Sequence, residues 1–312
     1  MAVLQIVGNQ SGAGKTSLAA ALLIKANAAG KKAAYYKPFS DASGADPDVA
    51  FIGSLLASIG GPDVPAPADT GDLGSAQATI AKLDSDADIV IVEGPSTATP
   101  LDLGGKVILV HKHSQQSSAT GSITSAGPNL AGIIVNATPI HRRDEAAREL
   151  SSQSMPVAVI PESRGMLTVT VEQLANHLGG QWVLDPVNND APVERFMIGG
   201  NILDEGPTYF DRYANQAVIT RVERPDIQMA SMCDKTCCLV LTGPGEPTEY
   251  IKAEALKREV PLIQVRTNTM DTAEALAGLL DQADARTNTK AYHFADLLEQ
   301  YMGAEGLQQL LS

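Results

Sequence analysis

The run Gly8-Asn9-Gln10-Ser11-Gly12-Ala13-Gly14-Lys15-Thr16 constrains this chain more than any other feature. It follows the apolar residues Ala2 to Val7 and precedes Ser17 to Ile24, so the order reads strand, glycine-rich turn, helix. Small residues at such a turn let successive backbone N–H groups converge on an anion, and the helix N-terminus adds a partial positive charge. The stretch is read as a phosphate-binding loop in which Gly12, Ala13, Gly14, Lys15, Thr16 and Ser17 contact a nucleotide. Lys15 would reach the β- and γ-phosphates, and the Thr16 hydroxyl would bind Mg²⁺. Five residues separate Gly8 from Gly14, one more than the usual spacing, and Asn9 holds the strict position. The alternative is a flexible Gly/Ser turn with a solvated lysine; strand and helix on either side of the motif weigh against it.

A chain of 312 residues predicts two domains, and 44% hydrophobic residues suffice for two cores. The formal net charge of −13 bears on partners: nucleic acid and anionic membrane surfaces are disfavoured. No apolar run reaches the ~18 residues of a membrane span, and the first residues read as a strand rather than a secretion signal, so a soluble, cytoplasmic protein is expected. Cys233, Cys237 and Cys238 lack the paired spacing of a zinc site and are odd in number, which predicts reduced, mostly buried thiols.

Strand and helix alternate along residues 1–180, the pattern of a doubly wound parallel sheet in an α/β fold. A helix is predicted over 15–29, a strand over 33–36, a polar turn over 41–47, a helix from Asp48, a loop over 60–74 and a helix over 75–83. Strands follow over 88–92, 106–110, 130–136 and 156–160, with helices over 144–152 and 171–178. Ligands of such sheets bind at the carboxyl ends of the strands, and three residues stand there. Lys37 is read either as a second cation against a transferred phosphate or an anionic substrate, or as an exposed lysine before Pro38. Glu93 is placed to hold Mg²⁺ directly or through water, with a solvated strand end as the alternative. Asn136 carries an amide able to read an adenine edge. Asp48 either faces the metal or favours a helix N-terminus through the dipole. His111 and His113, beside the serine-rich 114–125, have no third ligand at metal spacing and read as a polar, non-catalytic loop. Residues 181–192, with Pro186, Asn188, Asn189 and Pro192, read as a linker.

The loop from Gly8 to Thr16, Lys37-Pro38, Asp48 and Val92-Glu93-Gly94 together resemble the dethiobiotin synthetase-like family of P-loop proteins. That family includes dethiobiotin synthetase and the ATPase-like N-terminal domain of long phosphotransacetylases. The resemblance covers residues 1–180. It implies a P-loop NTPase fold that binds ATP and Mg²⁺, with Lys15 and Lys37 as catalytic cations, Thr16, Asp48 and Glu93 at the metal, and Asn136 as an adenine contact. After Gly94 the chain reads Pro95-Ser96-Thr97-Ala98-Thr99-Pro100, where dethiobiotin synthetase continues into a small glycine-rich stretch. The loop over 60–74 also differs from that enzyme's substrate segment, so the resemblance carries over for the nucleotide half alone. Gln10 stands where the related motor and partitioning ATPases carry an extra lysine, which argues against that branch.

The second half alternates again, with strands predicted over 195–200, 217–220, 237–242 and 261–265 and helices over 208–213, 226–231, 249–259 and 271–280. This predicts a smaller α/β domain over 193–285. Val218-Ile219-Thr220 with Glu223-Arg224-Pro225-Asp226-Ile227, then Leu241-Thr242-Gly243-Pro244-Gly245, are similar to the DRTGG domain found beside this P-loop domain in phosphotransacetylase-like proteins. The signature glycines after Arg224 are missing. The resemblance implies a regulatory or oligomerising module, and a homo-oligomer, dimer or higher, is expected. Gly243-Pro244-Gly245 reads as a plain turn or a small-anion site. Residues 286–312 hold helical runs over 292–302 and 307–311 and are read as a tail that packs on a partner subunit.

Three functions fit. One is a regulatory Mg²⁺-ATPase whose nucleotide state reaches a partner enzyme of acyl-phosphate or acyl-CoA metabolism. Another is an ATP-dependent ligase of the dethiobiotin type, in which a small carboxylate or carbamate attacks the γ-phosphate. The third is a non-catalytic nucleotide-binding module. Intact Lys15, Thr16, Asp48 and Glu93 weigh against the third, and the altered sequence after Gly94 weighs against the second.

Overall fold

The computed structural model describes residues 2–40, 44–114, 118–200, 206–280 and 283–312. Parts of the predicted 41–47 turn and of the 114–125 segment, residues 41–43 and 115–117, lie outside them. The chain forms two compact units: Met1–Met166 with Ala285–Ser312, and Leu167–Asp284. The second is therefore an insertion in the first.

The first unit runs β1 (Ala2–Gly8), α1 (Lys15–Ala28), β2 (Ala33–Tyr36), α2 (Pro47–Ser58), α3 (Leu73–Asp86) and β3 (Ile89–Glu93). It continues with β4 (Lys106–Lys112), α4 (Ala119–Ala126), β5 (Leu130–Thr138), α5 (Arg143–Glu149) and β6 (Val157–Pro161). All pairings are parallel, in the order β2-β3-β1-β4-β5-β6. Every residue of β3 is buried, as expected for a strand covered on both faces. From β1 the chain moves to one side of the sheet, to β2 and β3, and then crosses to β4 on the other. The change of direction falls beside β1, and the crevice it leaves at the carboxyl ends is where ligands of such sheets bind. The residue predicted to lie in a polar loop, His111, is instead the sixth residue of β4, buried, with its Nδ1 3.1 Å from Ser122 Oγ. The apolar run Val107 to Val110 carries the strand past the point where hydrophobicity alone would end it.

The second unit contains β7 (Val169–Thr170), α6 (Val171–His177), β8 (Gln181–Trp182), β9 (Pro192–Val193), β10 (Arg195–Ile198) and α7 (Gly206–Phe210). Then come β11 (Gln216–Arg221), α8 (Pro225–Ser231), β12 (Thr236–Thr242), α9 (Glu249–Lys257), β13 (Leu262–Val265) and α10 (Thr269–Ala275). Its sheet has the order β10-β11-β12-β13-β8, parallel except for β8. Strand alternation builds one core on each face: Ala217, Ile219 and Val240 pack on one side, Val218, Leu239 and Leu241 on the other. The segment read as a linker contributes to this unit, because Trp182 pairs with Ile263 and Pro192 with Thr170. Strands of two residues are too short to show a period, so nothing in the 181–192 composition betrays them. Likewise α6 packs Val171 and Leu174 into the second core, which moves the division between units from 180 to 166/167. The three thiols are free; Cys238 is buried in the sheet, while Cys233 and Cys237 are half-buried.

The chain then returns to the first unit as α11 (Asn288–Leu311), interrupted at Gly303, whose φ of 81° and ψ of 158° are non-helical. The tail expected on a partner subunit covers its own unit instead, packing on α1 and β6. The reason lies in α1, whose Leu18 to Leu23 are buried all round and need a cover on the side away from the sheet. Phe294, Leu298, Leu310 and Leu311 join that core, and each buried side chain contributes about 1.5–3 kcal/mol relative to exposure. Lys25 of α1 adds an ion pair to Glu299 at 2.6 Å.

Candidate functional site

The loop between β1 and α1 lies at the carboxyl edge of the first sheet. Gly12 and Gly14 have φ of +67° and +104°, the left-handed region that favours glycine. A Cβ on Gly14 would also come within 2.5 Å of Asn136 Nδ2, so this position excludes side chains for two reasons. Gly14 is the N-cap of α1 and no side chain caps the helix, which leaves first-turn N–H groups for an anion.

Adjacent strands hold the loop in place. Asn9 Nδ2 donates to Lys112 O at 3.3 Å and Asn9 Oδ1 accepts from Lys112 N at 2.9 Å, a double clamp on β4. Asn136 Nδ2 donates to Ala13 O at 2.9 Å, and its Oδ1 accepts from Ala137 N at 2.9 Å. The amide expected to face adenine is thus engaged with the phosphate loop. On the other side, Gly8 N donates to Pro95 O and Gly94 N to Ile6 O, which ties the ends of β1 and β3 together.

Glu93 closes β3 and is 3% exposed. Its Oε1 accepts from Thr16 Oγ1 at 3.0 Å and its Oε2 from Tyr35 OH at 2.8 Å. Burial pushes the Glu93 carboxyl above its ordinary range and the charge of Asp48 adds to this, against the Tyr35 bond and the charges of Lys15 and Lys37. Burial and the same carboxylate push the Tyr35 phenol well up. Lys15, on the first turn of α1, donates from Nζ to Ser96 Oγ at 2.8 Å.

Lys37 is no surface lysine: its side chain is 17% exposed and its Nζ lies 2.6 Å from Asp48 Oδ2 and 2.8 Å from Asp46 Oδ2. Asp46 is the N-cap of α2, accepting from Asp48 N and Val49 N, with Pro47 at the first helical position. Burial alone would raise Asp46, but the Lys37 and Ser40 hydrogen bonds and the Val49 N–H hold its carboxyl at about 2. Burial would also raise Asp48, yet bonds from Lys37 and Arg286 keep it below the usual range. Desolvation lowers the Lys37 ammonium, and its two carboxylate partners more than reverse that.

The structure therefore brings Lys15, Thr16, Lys37, Asp48, Glu93 and Asn136 to one edge of one sheet. Sequence reasoning missed Tyr35, Asp46 and Arg286. Tyr35 was legible as the residue two before Lys37, near the carboxyl end of β2, and Asp46 as a capping residue before Pro47. Arg286 lies 238 residues from Asp48, with no local signal.

Thr16, Glu93 and Asp48 present oxygen donors only, a hard set that suits Mg²⁺. The buried Glu93 carboxylate, with two hydroxyl donors and no cation bonded to it among the contacts above, fits a divalent ion next to Thr16. Among the described residues no cluster of three His, Cys, Asp or Glu forms a metal site, so a cation here would also need ligand phosphates and water.

Residues 173–279 match the DRTGG domain. The resemblance seen in the second half holds, and the matched span takes in most of α6 and all of β8 of the DRTGG unit. Similar solved structures include the CBS and DRTGG domains of the regulatory region of Clostridium perfringens pyrophosphatase, complexed with the activator diadenosine tetraphosphate. It is 14% identical with a TM-score of 0.32, over 51% of this chain and 77% of that one. Cobyrinic acid a,c-diamide synthase from Mycobacterium smegmatis, with bound ADP and magnesium, is 18% identical with a TM-score of 0.37, over 52% and 87%. The septum site-determining protein MinD from Pyrococcus horikoshii, with Mg-ADP, is 20% identical with a TM-score of 0.35, over 53% and 83%. Likenesses this distant speak to neither ligand nor reaction in the present chain. Among the described residues no helix is long and apolar enough to cross a membrane.

Proposed function

We propose that the first unit binds Mg²⁺-ATP on the loop from Gly8 to Ser17 and hydrolyses it slowly, as a regulatory ATPase. Its nucleotide state passes, with the DRTGG unit, to a partner enzyme of acyl-phosphate or acyl-CoA metabolism. One observation carries the reading: Lys15 and Thr16 from the first turn of α1 meet Glu93 from the end of β3, with Thr16 Oγ1 3.0 Å from the Glu93 carboxylate.

The loop N–H groups and Lys15 bind the phosphates, and Lys15 exchanges its Ser96 partner for the γ-phosphate. Thr16, Glu93 and Asp48 would hold Mg²⁺, which neutralises charge on the β- and γ-oxygens when bound. Lys37, fixed between two carboxylates, is a second cation beside Asp48 and stabilises charge on the transferring group. Asn9 and Asn136 keep the loop in its anion-binding conformation. The regulatory part of the reading is supported by the DRTGG match over residues 173–279.

The test is phosphate release by the purified protein with ATP and Mg²⁺ as sole reactants. Slow release supports the regulator. Release only on addition of a small carboxylate or amine replaces it with the ligase, and tight binding with no release leaves a binding module. Failure to bind ATP overturns the proposal.

A further inference from the structure

Asp48 is held from two sides. Lys37 Nζ lies 2.6 Å from Oδ2 and Arg286 Nε 2.8 Å from Oδ1, so both carboxylate oxygens of a side chain 13% exposed carry a cationic donor. Lys37 is a local partner. Arg286 is the second residue after the DRTGG unit, which ends at Asp284. It directly precedes Thr287, whose hydroxyl caps α11 by accepting from Lys290 N. The chain entering the insertion is fastened beside the chain leaving it. Ser163 Oγ lies 2.6 Å from His293 Nε2, and a Cβ on Gly165 would come within 2.8 Å of the same ring.

The charges around Asp48 balance in a specific way. Asp46, Asp48 and Glu93 face the ammonium groups of Lys15 and Lys37, and the Arg286 guanidinium makes the third cation. A divalent ion held through Asp48 Oδ1 would compete with Arg286 Nε for that oxygen, and two cations cannot share it without strong repulsion. The Arg286 side chain is 38% exposed, so its guanidinium has solvent beside it to enter when it leaves Asp48.

We propose that Arg286 stands in for the metal at Asp48: it holds Oδ1 in the metal-free site and yields that oxygen when Mg²⁺ enters with ATP. Metal binding and fastening of the chain that leaves the DRTGG unit then compete for one carboxylate oxygen. The inference rests on the Mg²⁺-ATP reading above. By linkage, whatever fixes residues 284–287 weakens the metal, and the metal loosens those residues by the same free energy.

The full-length chain tests this with Mn²⁺ as a spectroscopic probe, titrated at saturating ATP, in the wild type, Arg286→Gln, Arg286→Lys, Asp48→Asn and the Asp48→Asn/Arg286→Gln double variant. Arg286→Gln is expected to tighten metal binding by about fivefold or more, the usual scale of such coupling, and to change metal-free ATP affinity less than about twofold. Arg286→Lys, which keeps the charge, should stay near wild type. With Asp48→Asn in place, Arg286→Gln should have no further effect. In the wild type, ATP with Mg²⁺ should speed amide exchange at residues 285–287, and ATP with a chelator should not. Unchanged or weaker metal affinity in Arg286→Gln, or an effect that survives Asp48→Asn, overturns the inference while leaving the nucleotide reading intact. A wild type that binds no metal with ATP removes both.

Discussion

Replacing Glu93 by glutamine separates what this residue does for the fold from what it does for a ligand. The carboxylate accepts from Thr16 at 3.0 Å and Tyr35 at 2.8 Å while almost fully buried. Glutamine keeps the volume, and its amide satisfies both hydroxyls, since its oxygen accepts from one and its nitrogen donates to the other. The charge assistance lost is offset in part by no longer burying an ion beside Asp48, so the net cost is about 1 kcal/mol or less. In a domain of 150–250 residues that is roughly a 2–4 °C change in melting temperature. Against this stands the ligand term: Mg²⁺-ATP at about 100 times its Kd stabilises by about 2.7 kcal/mol, or roughly 5–11 °C. Glu93→Gln should keep its ligand-free melting temperature nearly unchanged and lose the part of the ATP-induced shift that depends on Mg²⁺. The assay is a thermal melt of both proteins without ligand, with ATP and a chelator, and with ATP and Mg²⁺. The pH dependence adds a signed check. Because folding raises the Glu93 pKa above its ordinary 4.5, its ionisation costs stability as pH climbs from there, and the variant should lack that loss. A full Mg²⁺-dependent shift in Glu93→Gln would refute the metal role, and a ligand-free drop of ten degrees or more would make Glu93 a structural residue.

Lys15→Ala should abolish ATP binding, read by calorimetric titration, while costing the empty fold about 1 kcal/mol or less for the Ser96 bond. Asp46 sits at about 2 in the fold against 3.8 ordinarily, so its contribution, on the order of 2 kcal/mol, is complete above 3.8 and disappears as pH falls toward 2. Acid titration of stability should therefore flatten in Asp46→Asn over that window, and an unchanged profile would contradict the Lys37–Asp46 pair. Leu298→Ala removes a fully buried side chain of α11 and should cost about 2–5 kcal/mol in the first unit. A negligible loss in chemical denaturation would mean that α11 does not cover α1 in solution.

What could be read from the sequence shares one property: its physics is local. The phosphate loop is announced by glycines at fixed offsets between an apolar strand and an alanine-rich helix, and Glu93 by standing at the end of five apolar-to-acidic residues that form β3. The doubly wound sheet follows from alternation alone. What could not be read depends on distant segments meeting. Lys37 looked equally like a surface lysine and a catalytic cation because its environment is set by Asp46 and Asp48 on another element. Asn136 offered an amide at a strand end, and only the close approach of Gly14 and Ala13 determines that the amide braces the loop. The tail's apolar residues called for a partner, and whether that partner was another subunit or α1 of the same chain is a question of topology, not of composition. The same topology explains Arg286. A domain inserted at one point must leave and re-enter at neighbouring places, so the first residues after it fall near the residues before it; here Ser163 meets His293. In this chain those returning residues also reach α2, whose first turn carries Asp48. An arginine there is placed by the insertion itself, and on the proposal above its contact with the candidate metal carboxylate links the chain that leaves the DRTGG unit to the candidate nucleotide site.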